Sequence, residues 1–293
     1  MSTSSLGRSR AQSAALAAVF AMVIGFTYSD DVVEFFLDIT GAQLAGWRWI
    51  VVAIDVALLA GSAFLKWRIA VQAQPALSRG RFWHRLVRSW WTVGAVLILS
   101  LHLVVIGLAG TGSEVPLGMN LLVSLLFVTA MGLVLASTLD TEMAPGIGWS
   151  RHGWVLPLVV GTLVVQVASA LWFPVIDINA GCANEVSDVF FSQIVQVLPV
   201  LLITLGIEMG FLRRRASVLR PADRAAPVLT VLLLCAAEGL AFSMTVKTDG
   251  GHCGVAAVWH EYIAFVVSVQ ALAIGLATLA WLLVADSTSN ELD

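Results

Sequence analysis

Asp55 and Glu238 are carboxylates near the midpoints of two long apolar stretches, His102 is an imidazole within a third, and Glu208 stands five residues before the cationic run Arg213-Arg214-Arg215. A charge at the centre of a bilayer costs on the order of 2.5–3.5 kcal/mol on insertion scales, so one that persists usually faces protein or water and serves a function. Two carboxylates and an imidazole can hand protons along, because desolvation favours a neutral acid and an imidazole changes charge near neutral pH. Asp55, His102 and Glu238 are therefore the expected substrate or proton-relay residues. Glu208 is either an inner relay or a side chain that snorkels to the arginines. The same trio would suit a divalent cation if its members met in space. The competing reading makes each a hydrogen-bonding group that ties helices together. Gln166, Gln193, Gln196, Asn120 and Gln270, at middle or outer depths, point to a hydrated cavity opening outward.

Membrane helices must position these residues. The chain of 293 residues is 59% hydrophobic and 12% charged, whereas soluble domains are about half apolar and a quarter charged. Its mean hydropathy is +0.90. The expected fold is an all-α polytopic transmembrane bundle, since a helix satisfies its own backbone in lipid and needs about 20 apolar residues to cross. Eight segments qualify, near 11–29, 47–66, 90–110, 116–137, 154–173, 188–212, 226–246 and 256–284. The first resembles a signal peptide behind Arg8 and Arg10, but its apolar run is too long and no A-x-A site follows Tyr28, so it reads as a retained helix.

Charge sets the orientation. Arg8 and Arg10, the six cations from Lys66 to Arg88, Arg151, and Arg213, Arg214, Arg215, Arg220 and Arg224 fall on one side, leaving Arg48 and Lys247 for the other. By the positive-inside rule both termini are cytoplasmic. Trp47, Trp67, Trp90, Trp91, Trp154, Trp172, Trp259 and Trp281 mark span ends, where an amphipathic ring favours the interface. The 66–89 loop reads as a cytoplasmic segment at the membrane surface, its cations set there by topology. In segment 30–45, Asp30, Glu34 and Asp38 recur every fourth residue beside Val32, Val33, Phe35, Phe36 and Ile39. That pattern predicts a short interfacial helix with an acidic stripe.

The eight spans read as one integral domain over 1–293. Acidic outer and basic inner stretches recur in both halves and raise a 4+4 repeat, 1–150 and 151–293, although shared topology rules produce the same pattern. Gly206 and Gly210 have close-packing G-x-x-x-G spacing, a frequent chance match. Cys182 and Cys253 fall in outer loops among small residues and are expected to form a disulfide on the oxidising side, while Cys235 reads as a small packing residue. With His252 the loop pair falls short of a zinc set, so no metal is assigned. In Trp259-His260-Glu261-Tyr262 the acid and imidazole point about 100° apart on a helix. The group reads as an interface anchor that contributes Glu261 to an outer vestibule.

Several classes are excluded. The only lysines, Lys66 and Lys247, lie at span ends, against a retinal protein, and only His102 is a deep histidine, against a multihaem cytochrome. No phosphate-binding glycine loop or G-x-S-x-G elbow is present, and Ser100 faces away from His102. The expectation is a multi-pass plasma-membrane protein, bacterial inner membrane by its arginine-rich composition, with no cofactor and no nucleic-acid partner. Its partners are the lipid bilayer and a small solute or cation. The expected function is that of a secondary transporter or channel-like protein, with proton coupling as one form of it, rather than an enzyme; the alternative is a non-transporting scaffold or sensor.

Overall fold

The computed structural model describes the chain except residues 1–2, 43, 45, 75–76, 111–116, 140–154, 172–175, 179–180, 216–224, 247–252 and 291–293. Within helices, the side chains of 3–17, 73, 109–110, 117, 120, 139, 170, 211–215, 225–226 and 285–290 also lie outside the description. Every named element is a helix, and two compact units form, Met1–Val155 and Leu156–Asp293.

The first unit contains α1 (Thr3–Thr40), α2 (Arg48–Ala73), α3 (Arg79–Val87), α4 (Trp90–Gly110) and α5 (Leu117–Leu139), with α2 packed against α1, α4 and α5. Phe26 of α1, Leu59 of α2, Ile98 of α4, and Met131 and Leu135 of α5 are buried at the centre. Helices α4 and α5 approach so closely that a β-carbon on Gly94 would lie 2.6 Å from the Ala130 carbonyl oxygen. The chain turns from α1 to α2 through Gly41 and Gly46, at φ +64° and +84°, a left-handed backbone that β-carbons disfavour.

A kink at Tyr28, where φ is −124° and ψ is 18°, divides α1 into two helical pieces, and the expected short helix of segment 30–45 is the second of them, ending at Thr40. Val32, Phe36 and Ile39 are exposed along this arm. The 66–89 stretch differs from the expected loop: α2 runs on to Ala73, and α3 follows. Phe82 and Leu86, four residues apart, form the buried stripe of α3, while Arg79, Arg81 and Arg85 stay exposed.

The second unit contains α6 (Leu156–Leu171), α7 (Asp188–Arg215), α8 (Ala225–Thr245) and α9 (Val255–Asn290). Here the last helix, α9, is the one that packs against the other three. A β-carbon on Gly161 of α6 would meet the Ile274 Cα at 2.6 Å and its backbone nitrogen at 2.7 Å. Pro199 lies inside α7, which continues past it to Arg215. Gly206 and Gly210 have open space around them, so the G-x-x-x-G spacing packs nothing among the described residues. Cys235 is exposed, not packed.

Among the described residues, six helices are long and apolar enough to cross a membrane: Arg48–Gln72, Trp90–Leu108, Leu121–Thr138, Asp188–Gly210, Pro227–Thr245 and Val255–Val284. Eight were expected. The stretch Leu156–Ser169 is apolar but short, and α1, which carries the expected first span, is not among the six. Val197, Val200, Ile203 and Ile207 form one exposed stripe along α7. Such a stripe suits lipid and would be a liability in water. The chain is thus all-helical, with the make-up of a multi-pass membrane protein.

Candidate functional site

All four long helices of the first unit contribute to the surroundings of the Asp55–His102 pair, and Asp55 is its sealed member. Seven residues along α2, its side chain is fully buried. Ser29 of α1, the residue after the Tyr28 kink, donates its hydroxyl to Asp55 Oδ1 at 3.3 Å. His102 of α4 brings Nδ1 to 3.0 Å from Asp55 Oδ2. Phe127 of α5 sets its ring edge to face against the imidazole, with centroids 5.6 Å apart. Because helices place i and i+4 on one face, the His102 ring also reaches back to the Ile98 carbonyl oxygen, 3.3 Å from Nδ1.

That carbonyl can only accept, so a hydrogen bond there requires the tautomer with its hydrogen on Nδ1. Asp55 Oδ2 thus has the imidazole close by but no well-directed hydrogen bond. A small rotation of the imidazole would swing the N–H from the carbonyl to the carboxylate. The His102 side chain keeps 20% exposure while Asp55 has none. The geometry therefore places a sealed carboxyl behind a partly exposed imidazole.

The other expected site residues lie in the second unit. Glu238 of α8 is half-buried, and its Oε2 is shut away without a hydrogen-bond partner. Glu208 is half-buried on α7, and the arginine side chains to which it was expected to reach lie outside the described residues. Asp55 and His102 are thus brought together, whereas the two glutamates occupy separate helices of the other unit. Among the described residues no three His, Cys, Asp or Glu groups cluster closely enough to hold a metal. Of the neutral polar residues, Gln193 and Gln196 are exposed. Gln270 is buried with its amide 3.4 Å from Thr162 Oγ1, and the Asn120 side chain is undescribed.

Glu261 has a definite local task. It is buried, and its two oxygens accept the backbone N–H groups of Val186 (3.2 Å) and Glu185 (3.4 Å). The Glu185 carboxylate in turn accepts the Asp177 N–H at 2.6 Å. The expected Cys182–Cys253 disulfide is present, and beside it the Gly254 N–H donates to the Gly181 carbonyl at 2.9 Å. Trp259 differs from the expected interface anchor: it is fully buried, its ring edge to face with Tyr262. His260 Nε2 lies 2.8 Å from Ser243 Oγ.

Lys66 has a role that its place in the sequence does not reveal. Assigned to a basic span end, it is buried, and its ammonium donates to the Ser137 carbonyl and, at 2.9 Å, to Ser137 Oγ. Ser137 lies in the last turn of α5, whose final carbonyls have no partner within the helix and carry its negative pole. Lys66 thus caps α5 from α2. A possible signal was its rarity, as one of two lysines among 16 basic residues.

No protein-family model, curated protein or solved structure matches this chain.

Proposed function

We propose that this chain is a multi-pass plasma-membrane transporter or channel-like protein that exchanges protons or a small cation at Asp55 and His102. The observation that carries the reading is the fully buried Asp55 carboxyl with a partly exposed, titratable imidazole 3.0 Å away. Burying a lone carboxylate is costly, whereas a proton or cation shared with an imidazole relieves the cost. The partly exposed His102 ring would take up a proton and pass it to the sealed Asp55 carboxyl beside it. Glu238, with a buried unpartnered oxygen, and Glu208 are assigned as further proton or cation stations in the second unit. Glu261 is assigned to holding the outer loop rather than to a vestibule.

In this reading the chain crosses eight times with both termini in the cytoplasm. The cation asymmetry supports that orientation, as does a disulfide that belongs on an oxidising side. A scaffold reading is favoured by a different observation. In the second unit, pairs such as Thr230–Thr278 (2.9 Å) and Ser243–His260 (2.8 Å) join helices two at a time.

Proton flux into proteoliposomes, driven by a potassium diffusion potential and read with an internal pH dye, tests the proposal. Asp55→Asn and His102→Gln should each cut flux by about tenfold or more while leaving the thermal midpoint near wild type. Wild-type flux from stable Asp55→Asn protein rejects the relay, and a wild-type chain that moves no protons supports the scaffold.

A further inference from the structure

We propose that the cleft between α2 and α3 holds one anionic phospholipid, with an acyl chain in the cleft and the headgroup phosphate on Arg79. The cleft encloses about 420 Å³ between Ala60, Phe64 and Trp67 of α2 and Phe82 and Trp83 of α3, with Arg79 on its lining. That volume falls in the roughly 300–1,000 Å³ range of small-molecule sites. Its walls are almost wholly apolar. Trp67 and Phe82 pack edge to face at 4.9 Å, which gives the cleft a rigid back. Phe64 and Trp83 are 61% and 55% exposed, so the apolar surface continues outward from the cleft.

Charge selects the occupant. The sequence has no Asp or Glu between Asp55 and Glu114, while Arg68, Arg79, Arg81, Arg85 and Arg88 are exposed around α3. A neutral apolar ligand would not need that field, and a soluble anion would not need the apolar walls. An anionic phospholipid matches both, since a planar guanidinium pairs in bidentate fashion with phosphate. Depth agrees. At 1.5 Å per residue the 26 residues of α2 span about 39 Å against about 30 Å of hydrocarbon. The α3 end of α2 therefore emerges at headgroup level. This site rests on the membrane reading above.

Native mass spectrometry of the full chain tests it, with protein released from micelles that contain equal amounts of dioleoyl phosphatidylglycerol and dioleoyl phosphatidylcholine. Wild type should retain one phosphatidylglycerol in preference to phosphatidylcholine. Arg79→Gln should lower that retention about fivefold, as expected for one cation lost at an anionic surface. Arg81→Gln, which removes the same charge outside the cleft lining, should lower it much less. Ala60→Trp, which fills the cleft, should abolish it, and millimolar inorganic phosphate should not displace the lipid. Equal retention of both lipids, or equal losses in Arg79→Gln and Arg81→Gln, would overturn the site in favour of general surface attraction. Displacement by inorganic phosphate would overturn the acyl-chain part. Failure to retain or take up any lipid would instead refute the membrane reading itself.

Discussion

Gly161→Ala separates packing seen in three dimensions from packing inferred from a motif. The new methyl carbon would lie 2.6 Å from Ile274 Cα and 2.7 Å from both its backbone nitrogen and Cγ1. Carbon atoms rest at about 3.5–4.0 Å, so α6 and α9 must part by roughly 1 Å. Two of the three contacts are with backbone, which cannot rotate away, so the upper part of the overpacking range applies, about 3 kcal/mol. Alanine recovers up to about 1 kcal/mol of helix propensity, leaving a net loss of about 2 kcal/mol. Gly210→Ala meets open space, so it should be neutral or stabilising by about 0.5–1 kcal/mol. Reversible unfolding in mixed micelles with rising dodecyl sulfate, followed by tryptophan fluorescence with the disulfide intact, should rank them in that order. Adding Ile274→Ala should not rescue Gly161→Ala, because the Cα and backbone nitrogen remain. Wild-type stability in Gly161→Ala, or an equal loss in Gly210→Ala, would refute the reasoning.

Three other outcomes follow from the same physics. Lys66→Met keeps the aliphatic stem but leaves the Ser137 carbonyl without its charged donor, and should cost about 1–3 kcal/mol in the same titration. Cys182→Ser opens a bridge between residues 71 apart, and in the chain-entropy model should cost about 4 kcal/mol, with reductant then having no effect. Glu34, on α1 beyond the Tyr28 kink, has its pKa raised by burial first and then by Asp38 and Asp30, with Arg48 acting in the opposite sense. A raised carboxyl pKa means that ionisation is disfavoured in the folded state, so stability should fall as pH rises above the ordinary glutamate range. Glu34→Gln should flatten that fall in melting curves taken across pH; an unaltered slope would show that Glu34 does not cause it.

Some of this protein could be known from one dimension. An excess of apolar residues over charged ones dictates helices in lipid, because no other unclosed backbone satisfies itself there. The pairing of Cys182 with Cys253 was legible because both fall in loops on the same expected side, among glycines. Asp55 and His102 stood out because ionisable groups are expensive in apolar helices. Which of them meet was a different matter. Their contact depends on how α1, α2 and α4 rotate against one another, and 47 residues separate the two in sequence. The same holds for Lys66. From sequence it was a cation at a span end, and only the last turn of α5 beside it makes it a buried cap. Among the described glycines, Gly161 and Gly94 lie tightest against a neighbouring helix although neither sits in a recognisable spacing, while the Gly206–Gly210 spacing packs nothing described. Composition and hydropathy act on each segment separately and so determine what each becomes. Rotation and register are decided by side chains from distant segments competing for the same space, which the tertiary structure alone resolves.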